Sequence, residues 1–207
     1  MLISLASIHG QQQAPVSAVN PESGTWINVA PANAGFKILL PGQASDNENE
    51  LQNGLKHHLI TLETKLAGYV VTYIEFPEVV TEPDAIKDLL DRGREGGIAS
   101  SKAELISEKE IQLNQFFGRE WSLKLPKGMV ATARAYWVRR RLYQTVFIIT
   151  PNANDSSALI KLRQEAGTKF LNSFGLVGDN VTDEAEVPDR PATLAGLSIS
   201  LKIMLTK

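Results

Sequence analysis

The segment that decides the fold of this chain is FFGREWSLKLPKGMVATARAYWVRRRLYQTVFIIT, residues 116–150. In 117–125 and in 130–138 the odd positions are mostly apolar, which is the period-two pattern of a strand with one buried face. Residues 142–150 are apolar at odd and even positions alike, as expected of a strand covered on both faces. Turn-forming residues separate the three runs, at 126–128 and at 139–141. The segment therefore predicts three consecutive antiparallel strands, with the last one central.

Further strand patterns precede this segment. They are rich in β-branched and aromatic residues and cover 36–40, 55–63, 69–76 and 103–113. Ala67-Gly68 lies between the two middle runs and predicts a hairpin, whereas the acidic and amide-rich residues 43–53 predict a polar loop. Together the runs predict a mainly antiparallel sheet of six or seven strands.

Two helices are predicted beside the strands. The first opens at Thr81-Glu82-Pro83-Asp84, where a threonine cap, an early proline and acidic residues suit a helix N-terminus. Glycines at 93, 96 and 97 weaken its last turns, so we expect it to end between 93 and 99. The second helix covers about 155–174. Its apolar residues recur every three or four positions, which is the stripe of an amphipathic helix.

The strand 130–138 carries alanines at 131, 133 and 135 on one face, which leave room for a helix to lie close to the sheet. We expect Phe170 and Phe174 of the second helix to pack on this alanine face. The predicted fold class is therefore α+β, an antiparallel sheet with helices packed on its faces.

Composition limits the possible functions. Of 207 residues, 43% are hydrophobic and 21% charged, so a globular core can form. Cysteine is absent, which excludes disulfides, thiolate metal sites and cysteine nucleophiles. A formal charge of −2 offers no general attraction to nucleic acid or to a membrane. No apolar run is long enough for a transmembrane helix.

The chain divides into three parts. Residues 1–24 form a flexible N-terminal segment, 25–177 a single α+β domain, and 178–207 an acidic linker with an apolar tail. The apolar residues 2–8 and a tolerable cleavage site after Ala18 suggest the remnant of a signal peptide, and the alternative is a disordered N-terminus. The first interpretation predicts a periplasmic or otherwise extracytoplasmic protein, the second allows a cytoplasmic one.

Over roughly residues 25–176 the sequence resembles uncharacterised bacterial exported proteins of the PsbP-like fold. The resemblance rests on Trp26, on Phe36 to Pro41-Gly42, on Gly118-Arg119-Glu120, on Arg141-Leu142-Tyr143-Gln144 and on Phe170-Leu171-Asn172-Ser173-Phe174. It implies an antiparallel sheet with helices on its faces in an α/β/α sandwich. It implies no established activity, and no residue here matches a photosystem-binding or GTPase-binding motif.

Arg119 and Glu120 form the most conspicuous polar candidate site. Arg119 is in register with core-facing aromatic residues, where an unpaired charge would be costly. One interpretation is an anion-binding arginine with Glu120 beside it, and this pair could serve a hydrolase-like enzyme. The other is a structural arginine that pairs with a carboxylate or with carbonyl groups at a sheet edge.

A second candidate lies at the turn formed by Arg139, Arg140 and Arg141, close to Trp137 and Tyr143. Basic and aromatic residues together suit an acidic protein partner, and they can also bind nucleic acid or anionic lipid. The alternative is a solvated hairpin tip that protects the sheet from edge-to-edge association. No specific nucleic-acid binding is expected.

The sequence predicts no catalytic, cofactor or metal site. His57 and His58 point to opposite faces of one strand and cannot chelate one ion together, and no phosphate-binding glycine loop or nucleophile elbow occurs. The function predicted from these observations is a non-enzymatic accessory or binding module of the bacterial cell envelope. The alternative is the hydrolase-like enzyme that uses Arg119 and Glu120.

Overall fold

A computed structural model describes residues 25–51 and 54–178. The predicted signal segment and the acidic linker with its tail lie outside these residues, apart from position 178. The largest element is an antiparallel sheet of seven strands. In order across the sheet they are β3 (Ser45–Glu50), β4 (Lys56–Glu63), β5 (Gly68–Glu75), β9 (Arg141–Ile149), β8 (Val130–Val138), β7 (Phe116–Lys124) and β6 (Glu104–Leu113).

The three strands predicted from residues 116–150 are confirmed as β7, β8 and β9. Each pairs with the next, and a short 3-10 turn at Pro126–Gly128 joins the first two. The last of them, β9, lies between β5 and β8 in the middle of the sheet. It takes that place because its side chains are apolar on both faces, as Val146 and Phe147 illustrate.

One face of the sheet is covered by a helix and by a small second sheet. The helix is α2 (Ser157–Asn172), and the small sheet contains β1 (Ile27–Val29), β2 (Phe36–Leu40) and β10 (Gly175–Leu176). Aromatic rings fill the layer between them and the large sheet. Phe36 stacks on Phe174 at 5.3 Å, and Phe170 meets the ring of Tyr69 edge-on at 5.2 Å between centroids.

The opposite face is covered by α1 (Pro83–Ser101). Leu89 and Leu90 of α1 belong to the same buried cluster as Ala131, Ala133 and Ala135 of β8. The expectation that Phe170 and Phe174 pack on the alanine face was therefore wrong. The small alanines accommodate α1, whereas both phenylalanines pack on the other face, in the cluster that contains Tyr136 and Val138.

Two predicted boundaries also need correction. Residues 45–50, expected within a polar loop, form the edge strand β3, which pairs with β4 through its backbone while all its side chains stay exposed. Helix α1 continues to Ser101, beyond the predicted limit, and ends at Lys102 in the left-handed conformation with φ 54°. Packing on the sheet overrides the weak helix propensity of its glycines. No helix among the described residues is long and apolar enough to cross a membrane.

Candidate functional site

A cleft of about 500 Å³ lies between α2 and the strands β7, β8 and β9. We call it the α2 cleft. Its apolar lining comes from Val130, Phe147, Ile149, Ile160 and Leu171. Its charged lining consists of two carboxylates and two guanidinium groups, from Glu120, Arg134, Asp155 and Arg163. A concave site of this size, with an apolar floor and a few polar groups, is typical of small-molecule binding sites.

The shape of the cleft depends on a close approach between α2 and β9. Gly167 of α2 faces the ring of Phe147, and a Cβ at this position would lie 2.7 Å from the ring atom Cε1. A side chain would therefore push the helix away from the strand. Glycine at 167 allows the helix to lie directly on Phe147, which lines the cleft.

Arg134 connects the sheet to the C-terminal end of α2. Its Nε donates to Glu120 Oε2 at 2.6 Å, and its Nη1 donates to the Leu171 carbonyl at 3.0 Å and to Asn172 Oδ1 at 2.9 Å. A cation is favourable here because the last carbonyl groups of a helix carry partial negative charge. Arg134 thus links the sheet to the end of α2 and lines the cleft beside it.

Glu120 is held as an ionised carboxylate. Its two oxygens accept from Lys109 Nζ at 2.8 Å and from Arg134 Nε at 2.6 Å. Burial acts to raise the pKa of Glu120, but the hydrogen bonds from Lys109 and Arg134 and the charges of both outweigh it, so the pKa lies below its ordinary value. Glu120 is therefore poorly suited to act as a general acid near neutral pH.

Asp155 forms the second ion pair, just before α2 begins. Its Oδ2 accepts from the backbone N–H of Asn152 at 2.8 Å and from Arg163 Nη1. The hydrogen bond from Asn152 is the main cause of the lowered pKa of Asp155; burial opposes it, and the contact with Arg163 adds to the lowering. Both carboxylates of the cleft are thus already neutralised by protein groups.

Arg119 lies on the opposite face of the sheet from Glu120, because neighbouring residues of a strand point in opposite directions. Its guanidinium contacts Asp91 of α1 at 3.6 Å and Glu108 and Glu110 of β6 at 3.5 and 3.3 Å. The structural interpretation of Arg119 agrees with these contacts. The proposed pairing of Arg119 with Glu120 in one enzyme site is wrong, since the sheet separates the two side chains.

The arginine turn is only partly a surface site. Trp137 is buried, and its indole N–H donates to the carbonyls of Val80 at 3.2 Å and Arg139 at 2.6 Å. Tyr143 is also buried, and its hydroxyl donates to the Ala34 carbonyl at 2.7 Å. Both rings are core components and cannot meet a partner, which corrects the prediction for these two residues.

The three arginines differ in their surroundings. Arg140 and Arg141 share the carboxylate of Glu75, where Arg141 Nη2 lies 2.8 Å from Glu75 Oε2 and Arg140 contacts Oε1. Arg139 occupies the turn with a positive φ of 59°, and its Nη2 is buried without a hydrogen-bond partner among the described residues. Of the two arginines that bind Glu75, Arg140 is the more accessible, with 50% of its side chain exposed against 19% for Arg141.

The two adjacent histidines have separate environments. His57 is buried, and burial lowers its pKa. His58 stacks on the ring of Tyr73 with the centroids 4.2 Å apart and lies 3.5 Å from Glu48. Within residues 25–51 and 54–178, no group of three histidine, aspartate or glutamate side chains is arranged to hold a metal ion.

Sequence reasoning found one residue of the α2 cleft and missed the others. Glu120 was singled out, but with Arg119 as its partner instead of Arg134. The true pair could have been inferred, because residues 120 and 134 are equidistant from the turn at 126–128 and face each other across β7 and β8. Asp155 and Arg163 gave no such signal, since one precedes the helix and the other lies two turns inside it.

Comparison of the sequence with protein-family models and with curated proteins finds no match. Among solved structures, the chain is similar to the solution structure of cyanobacterial PsbP (CyanoP) from Synechocystis sp. PCC 6803, with a TM-score of 0.51 and 14% identity. The likeness covers 82% of this chain and 99% of that one. PA94 from Pseudomonas aeruginosa, a protein of unknown function, matches with a TM-score of 0.34 and 11% identity over 70% of this chain and 92% of its own, too weakly to support an argument. The likeness to CyanoP supports the predicted PsbP-like α+β fold, and at this identity it shows the fold alone.

Proposed function

We propose that this chain is a non-enzymatic binding protein of the bacterial cell envelope and that its ligand occupies the α2 cleft. The observation that carries the proposal is the combination of an apolar floor with charges that the protein has already compensated. Glu120 is paired with Lys109 and Arg134, and Asp155 with Arg163. Such a site can bind a guest without leaving one of its own charges unpaired.

The same pairing argues for binding instead of catalysis. A general acid or base works best when its pKa lies near the working pH, and both carboxylates of the cleft have a lowered pKa. The hydrolase-like alternative required Arg119 and Glu120 in one site, and these two lie on opposite faces of the sheet. The paired carboxylates of the cleft therefore favour a binding or accessory role over a hydrolase-like activity.

Ligand binding in the α2 cleft can be tested by placing a large side chain at its edge. Thr168 is an exposed residue of α2 that lines the cleft, so Thr168→Trp should block a guest without disturbing the core. Lys161→Trp is the matched control, because Lys161 is an exposed residue of the same helix outside the cleft lining. We expect small molecules captured from an envelope extract of the native host to be retained by wild type and by Lys161→Trp, and lost by Thr168→Trp. Equal retention by all three proteins would contradict the proposal.

The arginine turn is a second candidate surface, for an acidic protein partner. The observation that favours it is the surplus of positive charge, since three arginines lie at this turn and two of them, Arg140 and Arg141, share the single carboxylate of Glu75. In the capture experiment, Arg140→Ala is the informative variant because its side chain is half exposed. Loss of a bound protein with Arg140→Ala, together with its retention by Thr168→Trp, would assign protein binding to the turn.

The proposed envelope location rests on the apolar residues 2–8 and on the candidate cleavage site after Ala18. If the proposal is correct, protein purified from the native host should begin after residue 18 and should fractionate outside the cytoplasm. N-terminal sequencing together with cell fractionation measures both. An intact Met1 on protein in the cytoplasmic fraction would exclude export.

A further inference from the structure

The large sheet has an open edge at β6. Among the described residues β6 pairs with β7 and with no other strand. In an antiparallel sheet, every second residue of an edge strand directs its backbone N–H and C=O groups away from the neighbouring strand. Over the ten residues of β6 these outward groups form a row on which a further extended segment can add through main-chain hydrogen bonds.

Apolar side chains lie exposed on this edge. Leu105 and Ile106 are 39% and 57% exposed, and they are two of the three large exposed hydrophobic residues in the part of the chain that the structure describes. The pairing with β7 shifts register between Leu105 and Ser107, so Ile106 lies in a bulge without a partner residue on β7. A bulge often protects an edge strand, but this one presents the most exposed of the three side chains to solvent. Covering Leu105 and Ile106 would remove apolar area from water.

The C-terminal part of the chain contains a segment with the sequence pattern of a strand that buries one face. It is LSISLKIML, residues 197–205, and it lies outside the described residues. Its odd positions are all leucine or isoleucine, and its even positions include Ser198, Ser200 and Lys202. The segment is one residue shorter than β6, which has ten. A strand with this pattern is stabilised where it finds apolar neighbours on one side.

The two edges of the large sheet offer this segment different neighbours. At the opposite edge, all side chains of β3 are exposed, and none of its residues, SDNENE, is apolar. At β6 the segment would lie beside Leu105 and Ile106, and apolar side chains on adjacent strands stabilise the pairing of those strands. Lys202 is the only charged residue of the segment, and in β6 three glutamates outnumber one lysine. Since β3 is acidic as well, the apolar contact is what favours β6.

The chain is long enough to bring the segment to β6. The described part ends at Gly178, two residues after β10. Leu176 of β10 belongs to the buried cluster against which Ile111 and Leu113 of β6 pack. Residues 179–196 can span about 60 Å when fully extended, and the whole of β6 is only about 33 Å long. The segment can therefore reach any part of the open edge.

We propose that residues 197–205 add to the open edge of β6 as a further strand of the large sheet, with their leucine and isoleucine side chains against Leu105 and Ile106. This strand-binding edge is a separate site from the α2 cleft and the arginine turn, and it does not depend on the proposed function. Its ligand is an extended segment with alternating apolar residues, which the chain itself supplies. The pairing satisfies the outward backbone groups of β6 and covers its exposed apolar side chains.

Hydrogen–deuterium exchange of the full chain, followed by mass spectrometry, tests the pairing. The variant Ile199→Gln combined with Leu201→Gln makes the apolar side of the segment polar and keeps the length of the chain. We expect the backbone amides of β6 to exchange at least about tenfold faster in this variant than in the wild type, because the outward N–H groups lose their acceptors. The amides of β3, at the opposite edge, should exchange equally in both proteins and serve as the internal reference.

Two controls separate the apolar contact from a general effect of substitution. Ser198→Gln combined with Ser200→Gln places the same side chains on the other side of the segment and should leave the exchange of β6 as in the wild type. On the surface of the sheet, Ile106→Gln should speed the exchange of β6, whereas Ile160→Gln, at the exposed hydrophobic residue of α2, should not. Circular dichroism verifies that all four variants are folded.

Equal exchange of β6 in the wild type and in the Ile199 and Leu201 double variant would overturn the inference. Faster exchange at β3 in place of β6 would also overturn it, because the segment would then lie on the opposite edge. Measurement at a high and a low protein concentration distinguishes pairing within one chain from pairing between two. Protection of β6 that disappeared on dilution would assign the edge to the segment of a second copy and contradict pairing within the chain.

Discussion

Replacing Phe170 with alanine should lower the free energy of unfolding by about 3–5 kcal/mol, because the substitution removes a large buried side chain and leaves a cavity. Phe170 is completely buried between α2 and the sheet, and its ring meets Tyr69 edge-on with the centroids 5.2 Å apart. For a chain of this size, such a loss lowers the melting temperature by on the order of 10 °C. Thermal unfolding followed by circular dichroism measures it.

The matched control is Ile160→Ala on the same helix. Ile160 is 45% exposed, so its truncation should change the melting temperature far less than that of Phe170. If Phe170→Ala melted no earlier than Ile160→Ala, α2 would not pack on the sheet through Phe170.

Replacing Trp137 with alanine should have an effect of similar size, about 3–5 kcal/mol, on the other face of the sheet. The indole ring lies 5.1 Å from the ring of Phe76, and its N–H donates to the carbonyls of Val80 and Arg139. Alanine would remove the packing and the donor together. Urea unfolding at neutral pH measures the change in the free energy of unfolding.

Two further substitutions separate the contribution of the indole hydrogen bonds from that of ring packing and provide a control at an accessible tryptophan. Trp137→Phe retains a smaller ring and loses the indole donor, so we expect an intermediate loss, of which the carbonyl groups left unpaired in the interior account for about 1–3 kcal/mol. Trp26→Ala is the control for an accessible tryptophan, because Trp26 is only partly buried, near Tyr69 and Lys169. If Trp137→Ala were as stable as Trp26→Ala, the result would contradict the burial of Trp137 and would support its assignment to the partner-binding surface.

The strands were predictable because their signals are local. Alternating apolar positions in 117–125 and 130–138, with turns at 126–128 and 139–141, leave one way to connect neighbouring strands without a long crossover. The apolar stripe of α2 is equally local. β3 was not predictable in this way, since all its side chains are exposed and only backbone pairing with β4 defines it.

The candidate site was predictable only in part. Glu120 stood out as a polar residue within an apolar strand, but its neighbour Arg119 was assigned to it by proximity along the chain. In a strand that proximity places two side chains on opposite faces, so the partners come from other strands, Arg134 for Glu120 and Glu110 for Arg119. The α2 cleft also requires Arg163, which is distant in sequence from both.

The amino-acid sequence by itself determined the α+β class, the run of antiparallel strands and the amphipathic character of the second helix. These properties depend on periodicity, which residues close in sequence express directly. Only the tertiary structure decided that α1 covers the alanine face, that Trp137 and Tyr143 are buried, and that a cleft opens beside α2. These properties depend on which surfaces fit together in three dimensions, and side-chain volume along one strand does not specify which helix will cover it.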